Sequence, residues 1–188
     1  MTTSSIAPAT LAELSGSYSI DPAHTRIGFV ARHAMVTKVR GSFNEFEGSG
    51  VVDGTDLASS QVTLTIQATS IDTRNEQRDA HLRSNDFLAM DEFPQITFVS
   101  TGFSQTGPTS LDLIGDLTVK GVTNSVTVPF EFEGAATDPF GNLRVGFEGA
   151  VAINRKDYGI TWNAALETGG VLVSDKIGLE FDISAIKQ

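Results

Sequence analysis

The sequence predicts an all-β fold of about eight long antiparallel strands joined as a meander, with one short helical insertion. Two observations carry this reading. Apolar residues recur at every second position in segment after segment. The clearest case is Leu143–Ile153, where Leu143, Val145, Phe147, Gly149, Val151 and Ile153 share one parity. That period puts them on one face of a half-buried strand. Between such segments stand Gly, Asp, Pro and Thr, which supply turns, and nowhere does a strand pattern alternate with a helix pattern. Closing the meander into a barrel would remove the edges that a long open sheet exposes, although periodicity alone leaves barrel and two-sheet sandwich both open.

Residues 1–16 are small and polar and are expected to form a flexible N-terminal arm, with the domain proper over 17–188. Tyr18–Asp21 reads as a short first strand and Asp21–His24 as a turn. In the next strand Ile27, Phe29, Ala31 and His33 share a parity, so His33 continues an apolar face. Val39–Val52 is a strand whose phase slips: Val39, Gly41 and Phe43 share one parity, and Phe46, Gly48 and Gly50 the other. A bulge near Asn44–Glu45 would reset the pleat and bend the strand, as curling into a barrel requires. Asp53–Gly54 is a turn, and Val62–Ala68 is the clearest alternation of the N-terminal half. Thr73–Glu76 has the form of a capping box opening a short polar helix over Glu76–Arg83. Asn85–Pro94 is an irregular connection of the kind that serves as a lid or binding loop. Strands follow over Ile96–Phe103, Leu111–Val119, Val122–Phe132, Leu143–Ile153 and Ile177–Ile183, with turns at Thr106–Pro108, Lys120–Gly121 and Asp138–Asn142.

The 188 residues suit one domain with a substantial core, and the net charge is −10. A nucleic-acid partner is excluded, because affinity for phosphates rests on Lys and Arg. Binding to anionic membrane surfaces is disfavoured on the same ground. No stretch approaches the ~18 apolar residues of a membrane span, so no stable membrane insertion is expected. The first residues lack the basic and apolar regions of a signal peptide, which makes the cytoplasm the expected compartment. Cysteine is absent, which rules out disulfide, thiolate and zinc–cysteine chemistry. Twelve Phe against one Trp and two Tyr point to a large interior with little aromatic hydrogen bonding.

Chemistry-bearing motifs are sparse. There is no phosphate-cradling Gly loop and no nucleophile elbow. His24, His33 and His81 lack ligand spacing, so no metal is expected. Two polar clusters lie beside apolar faces. Arg78, Asp79 and His81 crowd the predicted helix, with Arg78 and His81 on roughly one face. At the end of the long strand, the parity of Phe147 and Ile153 continues to Arg155 and Asp157, beside Asn154. A greasy interior with a charged mouth suits a ligand with an apolar body and a polar or anionic head. The plain alternatives are an exposed polar helix and a frayed strand end where Arg155 pairs with Asp157 or other neighbours.

Several landmarks then fall in order. They are Tyr18-Ser19-Ile20-Asp21-Pro22-Ala23-His24 with Phe29 and His33, Arg78-Asp79-Ala80-His81-Leu82-Arg83-Ser84 with Asp86-Phe87, and Phe93-Pro94-Gln95-Ile96-Thr97-Phe98 with Ser100. Gly115-Asp116-Leu117-Thr118-Val119-Lys120-Gly121-Val122-Thr123 and Ile153-Asn154-Arg155-Lys156-Asp157-Tyr158-Gly159 with Trp162 complete the set. With these the chain resembles the YceI-like family, polyisoprenoid-binding domains with a lipocalin-like barrel, over residues 17–187. The family most often has Phe where this chain has Tyr158, a change that keeps the ring and adds a hydroxyl.

The resemblance implies an extended eight-stranded antiparallel barrel, lipocalin-like, with a helical insertion near one end. It also implies a long apolar pore for an isoprenoid or other long-chain lipid. On that reading Phe29, Phe43, Phe98, Phe130, Phe147 and Phe181 are candidate pore-wall residues. Arg78, Asp79, His81, Asn154 and Arg155 are candidate head-group residues. The expected function is non-catalytic binding, carriage or storage of such a lipid. No cofactor is expected beyond a bound polyisoprenoid or quinone-like lipid, and a homodimer is left open. Two other readings stand beside it: a small hydrolase or isomerase with His33 or His81 as base, and a protein-interaction β-module with a filled core.

Overall fold

The computed structural model describes residues 8–188. Eleven strand segments form one antiparallel sheet that closes on itself. They are β1 (Gly16–Ile20), β2 (Arg26–His33), β3 (Thr37–Phe43), β4 (Phe46–Val52), β5 (Gln61–Gln67), β6 (Ile71–Asp72), β7 (Gln95–Gln105), β8 (Ser110–Val119), β9 (Val122–Thr137), β10 (Leu143–Asn154) and β11 (Lys176–Lys187), with one helix, α1 (Glu76–Arg83). Three pairs of segments are single long strands interrupted midway: β1 with β2, β3 with β4, and β5 with β6. Counted so, the sheet is a closed eight-stranded antiparallel barrel with one helix. Each strand pairs with its neighbours in sequence. β11 closes the ring on β2 through Gly178–Asp182 and on β1 through Tyr18↔Lys187.

The interruptions are where the strands bend. At Asn44–Glu45 the chain leaves the ladder of β2 and β3 and joins that of β4 with β1 and β5. Inward parity passes from Gly41 and Phe43 to Phe46, Gly48, Gly50 and Val52, and the bulge read from the phase slip sits at this bend. Two further irregularities lie between Ser100 and Gly102 of β7 and opposite Gly146–Phe147 of β10. At the second, Gly134 takes φ +127, a left-handed conformation that favours glycine. This bulge shifts the phase of β9 after Phe132, which is why its last five residues did not read as strand in the sequence.

The two barrel ends are closed by different segments. At one end α1 and the connection 84–94 lie beside the turn Arg155–Tyr158 and residues 160–173. Phe87, Leu88, Tyr158 and Ile160 are all buried there. The helix begins at Asn75, whose Oδ1 accepts from Arg78 N at 2.9 Å. The expected capping box at Thr73 is therefore corrected. Thr73 lies two residues earlier, is buried, and donates its backbone N–H and its hydroxyl to Asp79 Oδ1 at 2.9 and 2.6 Å.

At the other end the expected N-terminal arm is corrected for its described part; residues 1–7 lie outside the described residues. Leu11 and Leu14, three apart on a 3₁₀ turn, are the most deeply buried large side chains of the barrel, at 1% and 2% exposure. They pack with Tyr18, Leu111, Leu113, Phe132 and Val145. Leu11 N donates to Pro108 O at 3.0 Å and the Tyr18 hydroxyl to Leu14 O at 2.9 Å, tying the segment across the opening. Two apolar residues among Ala, Thr and Glu were too weak a periodic signal to register. Leu14→Ala removes a side chain from a packed plug and is expected to lower unfolding stability by about 2–5 kcal/mol, measured by chemical denaturation.

Near the plugged end Arg144 spans two elements. Its Nη1 donates to Asp21 Oδ2 at 2.6 Å and its Nε to Asp138 Oδ2 at 2.9 Å, linking the β1–β2 break to the β9–β10 turn. The Arg144 hydrogen bond, then that of His24, lowers the Asp21 pKa to about 2. Burial pushes Asp138 upward, but hydrogen bonds from Asn142, Arg144 and Phe140 outweigh it and also leave it at about 2. Both folded values lie below the ordinary 3.8, so this contribution is fully present above pH 3.8 and is lost as pH falls towards 2. Thermal melts should therefore drop across that window, and Arg144→Met should flatten the drop.

Candidate functional site

The inward faces of the strands enclose an elongated cavity of about 340 Å³. For scale, an engineered apolar cavity of about 150 Å³ takes up benzene. The cavity is lined from Leu11 and Leu14 at the plugged end to Leu82, Phe87 and Tyr158 at the helical end. β10, twelve residues at about 3.3 Å each and tilted about 35–45° as barrel strands are, rises roughly 30 Å along the axis, so the barrel is longer than it is wide. Its walls are almost wholly apolar.

All six phenylalanines of the expected wall, Phe29, Phe43, Phe98, Phe130, Phe147 and Phe181, line this cavity. Three of them lie over glycines of neighbouring strands. A Cβ built on Gly41, Gly115 or Gly149 would fall closer than 3.0 Å to ring carbons of Phe29, Phe98 and Phe130 respectively. The absent Cβ lets each ring lie against the wall instead of projecting across the tube, an aromatic-over-glycine arrangement known to stabilise sheets. The tube therefore keeps its bore while spending phenylalanine on its lining. Phe130 also tilts onto Phe181, with centroids 5.8 Å apart, and Phe29 onto Phe43 at 5.7 Å. The glycines were visible on the inward parity of the sequence, but their role as floors for rings depends on register between strands.

Of the polar residues expected at the mouth, Arg155 lines the cavity, and Arg78, Asp79, His81 and Asn154 do not. Arg155 is inward and 3% exposed, but it is placed by a 3₁₀ turn rather than by strand parity. Its Nε donates to Ser174 O at 2.9 Å, and its Nη1 to Ile160 O at 2.9 Å and Trp162 O at 2.8 Å. Nη2 adds Val173 O at 3.4 Å and approaches Asp175 at 3.6 Å. The guanidinium is thus occupied by backbone carbonyls of residues 160–174. It works as a strut for that loop while also bordering the cavity. Burial lowers its pKa, with Asp175 opposing. Asp157, expected on the same inward face, is exposed because the strand stops at Asn154. Asn154 points its Oδ1 to Lys156 N at 2.9 Å and caps the turn.

The helical cluster is also self-satisfied. Arg78 donates from Nε to Thr73 Oγ1 and from Nη2 to Thr73 O, both at 2.7 Å, while Asp79 accepts from the same threonine. His81 Nε2 meets Asp86 Oδ2 at 2.8 Å. Its ring sits edge-on to Phe87 and Trp162 at 4.9 and 4.7 Å. Trp162 is carried on the loop that Arg155 holds, so the two clusters meet at one cap through aromatic contact. Neither His81 nor His33 lines the cavity, and His33 is exposed at the end of β2 instead of facing inward. Tyr158 is buried against the lumen, and among the described residues its hydroxyl has no hydrogen-bond partner. Burial raises its pKa, which keeps it protonated at neutral pH.

A closed eight-stranded barrel with an apolar lumen and covered ends defines a ligand-binding barrel of the lipocalin-like class. A sequence profile of the YceI-like domain matches residues 18–185, and the chain belongs to the YceI-like family. A UPF0312 protein of Staphylococcus aureus is 41% identical over 165 residues, covering 87% of this chain and 94% of the relative. Among solved structures, BcnA of Burkholderia cenocepacia superposes with a TM-score of 0.77 at 23% identity, covering 88% of this chain and 98% of BcnA. A polyisoprenoid binding domain from Saccharophagus degradans gives 0.69 at 14% identity, with 93% and 100% covered. At these identities the two structures establish the shared fold.

Two measurements follow from this geometry. Arg155→Ala takes the side-chain donor from the Ile160, Trp162 and Ser174 carbonyls, while Val173 O keeps Asn163 Nδ2 at 2.8 Å. It is expected to cost about 3 kcal/mol and to make residues 160–174 sensitive to limited proteolysis before the barrel itself unfolds. Gly115→Ala should push the Phe98 ring into the tube, so that the longest alkane taken up, read by native mass spectrometry, becomes shorter than in the parent chain.

Proposed function

We propose that the chain binds a long-chain apolar lipid of the isoprenoid type inside the barrel and carries or stores it without catalysis. The observation that carries this reading is the tube itself: about 340 Å³ of cavity between two covered ends, walled by phenylalanine and aliphatic side chains. Such a wall offers dispersion and burial but little directional chemistry. Family membership and the fold shared with a polyisoprenoid binding domain support the same ligand class. Against the hydrolase or isomerase reading stands the placement of both candidate bases outside the lumen. Against a filled β-module stands the cavity.

Burial of one CH₂ contributes ~0.8 kcal/mol, so each five-carbon isoprene unit adds on the order of 3 kcal/mol before ordering costs. Non-covalent affinity levels off near −18 to −21 kcal/mol, or roughly six units. Longer chains are then discriminated by whether they fit between the plug at Leu11 and Leu14 and the cap at Phe87, not by added affinity. Native mass spectrometry of the purified chain, followed by organic extraction, should show a stoichiometric prenyl lipid. A spectrum that stays lipid-free after incubation with long prenyl chains would end this reading.

A further inference from the structure

At the helical end two tips reach past the barrel rim. One is the β2–β3 turn, Ala34–Val36; the other is the turn at 165–171, held to the first by Ala34 N donating to Leu172 O at 2.8 Å. Together they expose Met35 (61%), Val36 (75%) and Val171 (41%). Met35 sits at φ +63 and Ala34 at φ +52, left-handed positions that Asn and Gly fill at least cost. Just below the tips, Ala31 and Val173 already line the lumen.

Charge around these tips differs from that of the whole molecule. Arg32 stands directly opposite Lys38 in the β2–β3 ladder, on the outer face. Like charges so placed repel, and among the described residues neither has a carboxylate within ion-pair distance. The tips carry one carboxylate, Glu167. Of the 13 Lys and Arg residues, all but Arg26, Arg144 and Lys187 lie in the half of the barrel nearer this end. The same half also holds Asp72, Glu76, Asp79, Asp86, Asp91, Glu92, Asp116, Asp157, Glu167 and Asp175 and is therefore close to neutral, whereas Asp53, Asp56, Asp112, Glu131, Glu133 and Asp138 lie in the opposite half with only three cations. The excess negative charge therefore sits away from the tips, and the field orients the helical end towards an anionic surface. The net charge of −10, which argues against membrane contact for the molecule as a whole, does not describe this end.

We propose that the Met35–Val36 and Val171 tips, flanked by Arg32 and Lys38, dock the helical end onto an anionic lipid bilayer. The apolar tips enter the headgroup layer and the two cations pair with lipid phosphates. β6 covers only Ser42 and Phe43 of β3, so among the described residues the edge at Thr37–Gly41 opposite β2 has no strand partner. An acyl or prenyl chain drawn from the bilayer enters there. This use of the surface rests on the lipid-binding reading of the lumen; the docking itself is read separately.

The test is cosedimentation of the whole chain with vesicles of phosphatidylcholine alone and of phosphatidylcholine with phosphatidylglycerol in equal parts. The mixed vesicles should bind it more tightly, and added salt should weaken that binding. Arg32→Glu with Lys38→Glu should lower the affinity by at least about fivefold per cation, and Met35→Ser with Val36→Ser should lower it on both vesicle types. Phe140, 88% exposed on the β9–β10 turn at the plugged end, is the control, and Phe140→Ser should leave binding unchanged. Equal or absent binding to the two vesicle types, indifference to the tip variants, or loss on Phe140→Ser overturns the proposal. So does a chain that ignores vesicles while the tip variants abolish a dimer in sedimentation velocity. Extracted lipid is measured on the same samples: lipid present without vesicle binding removes the docking surface alone, and vesicle binding without lipid removes the lumen reading alone.

Discussion

An apolar tube in water is stable only while its ends are covered, and much of the chain outside the strands serves that requirement. Leu11 and Leu14 fill one opening, and Phe87, Leu88, Tyr158 and Ile160 fill the other. The polar residues of the caps are spent on holding these apolar residues in place. Thr73 gathers Arg78 and Asp79, Arg155 gathers the carbonyls of residues 160–174, and Arg144 secures the β9–β10 turn to the β1–β2 break. Hydrogen bonds from charged donors to buried carbonyls are stronger than neutral ones, which suits segments without a ladder of their own.

The fold was legible in the sequence because strand parity is a local signal. The alternation over Leu143–Ile153, the phase slip between Phe43 and Phe46 and the polar helix over Glu76–Arg83 all have counterparts in the structure. The lining was legible for the same reason, since a residue two positions from an inward one is inward too. The caps were not. Whether Arg155 faces a ligand or a carbonyl depends on how a loop of some fifteen residues folds back over it, and no periodicity encodes that. Likewise Leu11 and Leu14 gain their meaning only from an opening built by strands far along the chain.

Arg155 shows that a charged residue on an inward face can serve the protein's own loop. Its inward position follows from a 3₁₀ turn that Asn154 caps at one side and Gly159, at φ +71, terminates at the other. The guanidinium is planar, with five N–H donors, and can serve several carbonyls at once in a way that lysine cannot. That property equips it equally for a ligand anion or for a bare loop. Here the partners are Ser174, Ile160, Trp162 and Val173, and the side chain also borders the cavity.

The pairing that closes the barrel also governs how the chain acquires its structure. Tyr18 lies opposite Lys187, so the first strand waits for the last before its edge is covered. Contacts of such long sequence separation place a fold among those that form in milliseconds to seconds rather than microseconds. At ribosomal speeds of ~5–20 residues per second, β1 and β2 emerge about 7–30 seconds before β11 exists to pair with them. During that interval the phenylalanine-bearing face that later becomes the lumen is not enclosed, and Leu11 and Leu14 have no finished opening to fill. A nascent chain of this design spends its most aggregation-prone period as an open sheet, and its barrel becomes self-contained only with β11.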